Sequence, residues 1–160
     1  MDKSIINEIT IVNLADDTKH IEEVARWHFE EWSDYNRTRY EDDLHMTKHS
    51  LCKDRIPFTF IAKYKDEAVG MVSIWNSDMK SRQDLTPWLA ALYIKKEYRG
   101  IGIGTLLQKK CIETVKSLGY KSLYLTSDLE NYYERTGWKF LDRAPVNQHL
   151  TKIYEYKIAD

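Results

Sequence analysis

Residues 99–104 of this 160-residue chain read Arg99-Gly100-Ile101-Gly102-Ile103-Gly104, a run that joins a strand-like segment, 88–94, to a helix-like one, 105–118. Three glycines in five positions remove the β-carbons that keep main-chain amides away from a ligand. A helix starting at such a loop aims its unpaired N–H groups and the positive end of its dipole at the same point. The segment is built to hold a pyrophosphate. Two other phosphate loops do not match it. A dinucleotide fingerprint needs G-x-G-x-x-G, but Thr105 or Leu107 stands where the third glycine belongs. A Walker loop needs Gly-Lys-Ser/Thr, and none follows.

Composition narrows the partners. With 42% apolar and 31% charged residues the chain has a globular balance, and its length suits one domain, 1–160, with its own core. No stretch approaches the roughly 20 apolar residues that span a membrane. Met1-Asp2-Lys3-Ser4 lacks a signal-peptide core, so cytoplasmic residence is the expectation. A formal net charge of −1 offers no general attraction to nucleic acid or to an anionic membrane, although Lys95, Lys96, Arg99, Lys109 and Lys110 gather near the glycine loop. Cys52 and Cys111 are too few for a disulfide framework and too far apart for a zinc site. His45 and His49 have i,i+4 spacing but no evident third ligand, so no metal is expected.

Periodicity predicts an alternating order of elements. Apolar alternation over 5–12 gives a first strand, and helical spacing over 17–32 gives a first helix, which the polar stretch 33–39 breaks. A second helix is expected over 40–52, ahead of Pro57. Segments 58–64 and 68–75, joined by Lys65-Asp66-Glu67, read as a hairpin. In strand 88–94, period two puts Trp88, Ala90, Leu92 and Ile94 on one face. The helix after the loop carries Ile103, Leu107, Cys111, Val115 and Leu118 on one stripe and stops at Gly119. A strand over 121–126, a short helix over 129–136 and a closing pair, 137–142 and 150–158, complete the order βααβββαβαββ.

The loop matches R/Q-x-x-G-x-G/A. Downstream, Tyr132-Tyr133-Glu134-Arg135-Thr136-Gly137-Trp138 is similar to the pattern aromatic-Tyr-x-Lys/Arg-x-Gly-Phe/Trp. On these residues the second half of the chain resembles the GNAT superfamily of N-acetyltransferases. The resemblance implies the acyl-CoA N-acyltransferase fold, an α/β (α+β) mixed sheet flanked by helices and splayed at its centre, with acetyl-CoA as co-substrate. It implies that the main chain of Leu92, Tyr93 and Ile94 meets the pantetheine arm. Arg99, Gly100, Ile101, Gly102, Ile103, Gly104 and Thr105 would then hold the pyrophosphate, and Tyr133 would be the general acid for the coenzyme A thiolate. Thr126 stands where relatives often carry a cofactor-contacting asparagine, seven residues before the tyrosine.

A lysine-like amine is mostly protonated at neutral pH, so attack on a thioester needs a base. The position that the resemblance assigns to a glutamate in histone-type members falls on Trp88, followed on the same face by Ala90. Neither accepts a proton. The candidate bases become Asp84, just ahead of Trp88, and Glu31 in the first helix. There His28, Glu30, Glu31 and Asp34 surround Trp27 and Trp32, an acidic and aromatic segment suited to a cationic amine. Trp27, Glu30, Trp32 and Trp88 are the expected acceptor contacts. The function expected is acetyl transfer from acetyl-CoA to a small-molecule primary amine by direct attack, in a monomer or homodimer. Two alternatives stay open: a non-catalytic acyl-CoA-binding sensor, favoured by Trp88 and Ala90, and a protein or peptide N-acetyltransferase, which needs an open groove.

Overall fold

The β-branched and aromatic runs pair into one sheet in a computed structural model that describes residues 3–159. The elements are β1 (Ile9–Asn13), α1 (Ile21–Asn36), α2 (Tyr40–Lys48), β2 (Phe58–Tyr64), β3 (Glu67–Trp75), β4 (Trp88–Ile94), α3 (Ile103–Ser117), β5 (Ser122–Ser127), β6 (Lys139–Val146) and β7 (His149–Lys157). The strand order is β1-β2-β3-β4-β5-β7-β6. Every neighbouring pair is antiparallel except β4 with β5.

Period two divides the side chains between two faces. Phe58, Phe60 and Ala62 join the cluster under α3, while Ile61 between them joins the cluster under α1 with Val24, Trp27 and Met71. The α3 stripe buries Ile103, Leu107, Cys111 and Val115, each no more than 1% exposed, and full burial of an aliphatic side chain of this size stabilises by roughly 1.5–3 kcal/mol. Leu118 leaves the stripe and is 37% exposed. Gly119 ends the helix at φ +86, a conformation costly for any residue with a β-carbon.

Local corrections have local causes. Residues Lys3–Glu8 form a 3₁₀ turn rather than the start of a strand. The adjacent Ile5 and Ile6 break the alternation, and Ile6 packs against the α3 core. Helix α1 starts later and runs into the polar stretch as far as Asn36, because no glycine or proline interrupts it; it stops at Arg37, which is left-handed at φ 56. Only Glu134–Thr136 of the expected helix over 129–136 is helical, as a 3₁₀ turn, since Asn131 at φ 57 cannot continue a right-handed helix. The first strand of the closing pair starts later than expected and runs on to Val146. Pro145 is tolerated in β6 because that strand lies at the sheet edge.

The decisive irregularity is in β4. Ala91 has φ 53, and the register with β3 slips between Met71 and Ser73, so a bulge breaks the expected alternation. Leu89, Leu92 and Ile94 turn toward the α3 cluster, Ala91 and Tyr93 toward α1, and Trp88 into a third cluster with Met79 and Ile153. Strands β4 and β5 pair in register only at Trp88 and Tyr124. Beyond that point they part, which leaves the edge of β4 toward Ile94 facing no strand. Among the described residues no helix is long and apolar enough to cross a membrane.

Candidate active site

The gap between β4 and β5 opens into a cleft of about 500 Å³. Leu92, Tyr93 and Ile94 line it from β4; Arg99, Gly100, Gly102, Ile103, Gly104 and Thr105 from the loop and the first turn of α3; Glu31 from α1; and Leu129, Tyr132 and Tyr133 from the segment after β5. Ile101 instead turns its side chain to the core.

The loop presents bare donors. Among the described residues, no amide from Gly100 to Thr105 donates to a protein acceptor, and the first to do so is Leu106, to the Gly102 carbonyl at 3.2 Å. These are the orphan N–H groups of a helix start. Gly100 at φ +79 and Gly102 at φ +104 give the loop a path that L side chains rarely follow. Arg99 donates from Nε to the Ile94 carbonyl at 2.8 Å, and its guanidinium carbon lies 5.7 Å from the Tyr93 ring centroid. An open strand edge and a cradle of unpaired amides are what an amide-bearing arm and a pyrophosphate require, so these residues fit coenzyme A.

Tyr133 is 7% exposed, edge-on to Tyr132 with ring centroids 4.8 Å apart and to Trp138 at 6.1 Å. Burial, with Tyr132 adding to it, pushes its phenol well above the usual tyrosine value. The group therefore keeps its proton at neutral pH. Its segment is pinned to α3 by Gln108, whose Oε1 accepts from Thr136 Oγ1 and from Trp138 Nε1, both at 2.9 Å. Sequence reasoning passed over Gln108. The available signal was a lone carboxamide between two members of an apolar stripe.

On the other side of β4, Asn147 Nδ2 donates to the Tyr35 carbonyl at 2.8 Å, tying the β6–β7 turn to the end of α1. Ser81 Oγ donates to the Pro145 carbonyl at 2.9 Å, and Arg82 pairs with Asp142 at 2.8 Å. The β3–β4 loop is thus fastened to β6. In that loop burial pushes the Asp78 carboxyl up to about 7. Asp128 and Asp78 both help burial raise the Tyr35 phenol, so each lies within electrostatic reach of that hydroxyl. Sequence reasoning missed Asp78, because nothing in its polar loop sequence marks it for burial.

Several expected contacts lie elsewhere. Arg82 holds both Asp84 carboxylate oxygens at 2.9 and 2.8 Å and keeps that carboxyl below its ordinary value, which makes Asp84 a poor proton acceptor. Trp88 is fully buried and its Nε1 donates to the Leu85 carbonyl at 2.7 Å. It has no face to offer an acceptor. Trp27 is stacked on Tyr93 at 5.3 Å, with Lys95 Nζ 5.4 Å from its ring centroid. Thr126 shares a hydrogen bond with Thr151 at 2.9 Å and does not line the cleft. Glu30 is exposed on α1, outside the cleft lining that includes Glu31.

His28 and Asp43 form a buried pair, Nδ1 to Oδ1 at 3.0 Å, that joins α1 to α2. Burial lowers the His28 pKa against the opposing pull of Asp43. Trp32 lies against this imidazole, with ring centroids 5.0 Å apart. His49 Nδ1 is 2.8 Å from the His45 carbonyl, and no group of metal-ligating side chains occurs among the described residues. The buried Cys111 thiol is pushed up by burial.

The sequence model of the acetyltransferase (GNAT) family matches residues 21–138. N-alpha-acetyltransferase 30 of Schizosaccharomyces pombe is 34% identical over 86 residues, which is 51% of this chain and 57% of that protein. The chain therefore spans a little over half the length of this curated relative. Among solved structures, aminoglycoside 6'-acetyltransferase type Ii is similar with a TM-score of 0.73 at 18% identity, covering 94% of this chain and 98% of that one. An aminoglycoside 6'-N-acetyltransferase complexed with coenzyme A gives a TM-score of 0.76 at 14% identity, with the same coverage of 94% and 98%. At these identities the likeness is one of fold.

Proposed function

Because this chain belongs to the acetyltransferase (GNAT) family, we propose that it transfers an acetyl group from acetyl-CoA to a primary amine, and that the acceptor is a small cationic molecule. The observation that carries the cofactor site is the run of unpaired amides, 100–105, where α3 begins. When bound, acetyl-CoA supplies a thioester carbonyl open to attack by a neutral amine. The amides of Gly100 to Thr105 and the Arg99 guanidinium bind its pyrophosphate. The free edge of β4 at Leu92, Tyr93 and Ile94 bonds the pantetheine amides, and a main-chain N–H there polarises the carbonyl.

Tyr133 donates a hydrogen bond to the sulfur as the carbon–sulfur bond breaks. Its raised pKa makes complete proton transfer to a thiolate uphill, so the hydrogen bond itself does most of the stabilising. Glu31, which lines the cleft, draws the ammonium in and takes its proton. One nitrogen–carbon bond forms as one carbon–sulfur bond breaks; of the two protons the ammonium loses on the way to the amide, one is matched by the proton the thiol gains and the other leaves to solvent through the base.

The fastening of the β6–β7 turn to α1, and of the β3–β4 loop to β6, supports a walled acceptor site and hence a small amine. A second reading takes the N-terminus of a polypeptide as acceptor; the similarity to N-alpha-acetyltransferase 30 favours it. A panel of small amines and short peptides, read by release of free thiol from acetyl-CoA, tests both. Saturable release with a small amine supports the first reading, and release with peptides alone supports the second. Thiol release that no acceptor accelerates would leave only a binding module, and calorimetry without saturable coenzyme A binding in the micromolar range removes the cofactor site itself.

A further inference from the structure

Gln108 is the one strongly polar side chain buried within the α3 stripe, 1% exposed beside Leu107 and one turn before Cys111. A carboxamide so placed is costly unless hydrogen bonds replace its water. Its Oε1 has two donors, Thr136 Oγ1 and Trp138 Nε1, each at 2.9 Å. Thr136 Oγ1 also lies 3.0 Å from the carbonyl of Tyr133. The carboxamide thus grips the segment carrying Tyr133 at the last residue of its 3₁₀ turn and two residues beyond it. At its other end, Nε2 is buried and makes no hydrogen bond of good geometry. The Tyr132 hydroxyl faces that end of the side chain. Gly104, one turn earlier on α3, makes room for the same hydroxyl, since a β-carbon there would stand 2.7 Å from it.

We infer that Gln108 is a positioning residue for acetyl transfer. Through Oε1 it clamps residues 132–138 onto α3, with Nε2 turned toward Tyr132, and so sets the Tyr133 hydroxyl against the reacting sulfur. The inference rests on the reading of Tyr133 given above. A leucine at 108 would fill the same volume and keep the stripe apolar, but it would leave the Trp138 indole and the Thr136 hydroxyl without their acceptor. The segment would then be free to rotate Tyr133 within the cleft.

A double-mutant cycle of Gln108→Leu and Tyr133→Phe tests this, with kcat and the calorimetric Kd for coenzyme A as readouts. Each single change is expected to lower kcat about tenfold and leave Kd within about threefold, because the loop amides are untouched. In the Tyr133→Phe background, Gln108→Leu is expected to cost less than about twofold, since the group it positions has lost its proton donor. Gln108→Glu keeps an acceptor oxygen and is expected to hold kcat within about threefold of the parent. Unchanged kcat in a folded Gln108→Leu protein, or losses that simply add, would overturn the inference and leave the reading of Tyr133 standing. Full kcat in Tyr133→Phe alone would end both. If Gln108→Leu does not fold, the pair Thr136→Val with Trp138→Phe removes the two donors instead. Parental kcat in that protein overturns the clamp, and a loss that vanishes with Tyr133→Phe supports it.

Discussion

Replacing Gly104 by alanine separates the stability of α3 from its capacity to bind. Position 104 lies in the helix, and its φ is outside the left-handed region, so the backbone accepts an L residue. Alanine then stabilises the first turn by roughly 0.5–1 kcal/mol relative to glycine. Against this, the new β-carbon lands 2.7 Å from the Tyr132 hydroxyl, with Leu92 Cδ2 next at 4.0 Å. The hydroxyl must retreat by about 1 Å to reach ordinary contact distance. It ends a flexible side chain that is 41% exposed, and a shift off its rotamer costs of order 0.5–1.5 kcal/mol. The two effects nearly cancel, and Tm is expected to move by no more than about 3 °C.

Binding does not share that cancellation. The methyl group and the displaced tyrosine both intrude beside the bare amides of the cleft. Loss of one charge-assisted hydrogen bond there is worth about 1.5–3 kcal/mol, which raises the Kd for coenzyme A roughly 10- to 100-fold. Calorimetry with coenzyme A and thermal unfolding without it give the two numbers. Unchanged Kd at unchanged Tm would refute the placement of the pyrophosphate at this turn. A loss of many degrees would refute the helix argument. Tyr132→Phe in the same background removes the clash and is expected to raise Tm slightly above the parent without restoring affinity.

Gly102→Ala meets the Ile6 side chain at ordinary contact distance, 3.8 Å to Cδ1 and 4.0 Å to Cγ1, but must adopt φ +104; it is expected to destabilise by about 1–2 kcal/mol through backbone strain, read as a lower Tm without ligand. Tyr133→Phe is expected to lower kcat while coenzyme A affinity stays at the parental value, and equal turnover would dismiss the phenol from the reaction. Asp84→Asn is expected to leave turnover unchanged, because Arg82 already holds that carboxylate; a large loss would make Asp84 a candidate base again. For Asp78, the folded carboxyl titrates at about 7 against 3.8 for the ordinary group, so between these values the folded state binds more protons than the unfolded one. Parental stability therefore falls as pH rises through that window. Asp78→Asn is expected to gain on the parent from pH 4 to 7, by at most about 4 kcal/mol, and urea unfolding at pH 5 and 8 showing equal differences would contradict the burial argument.

Elements set by short-range chemistry are legible in the order of residues. The hairpin of β2 and β3, the strand 88–94 and the helix after the loop follow from residue type and spacing within a few positions, and they appear at those places. The cofactor cradle is legible for the same reason: three glycines before an amphipathic helix define a local geometry. The acceptor side is not. Trp27 and Trp88 look available in a linear pattern but are sealed by Tyr93 and by the Leu85 loop. Asp84 looks free until Arg82 folds over it. Asp78 carries no local mark at all.

Chain order alone determined the strand, glycine loop and helix that make an anion cradle, because φ preferences and unpaired helix amides are properties of neighbouring residues. Tertiary packing alone decided which side chains reach the cleft. The bulge at Ala91 reverses the faces of β4, the parting of β4 from β5 opens the gap, and the fastening of the β6–β7 turn to α1 encloses the far side. Burial and the pairing of charges depend on segments far apart in the chain, up to 112 residues for Tyr35 and Asn147, and no window along the chain contains them.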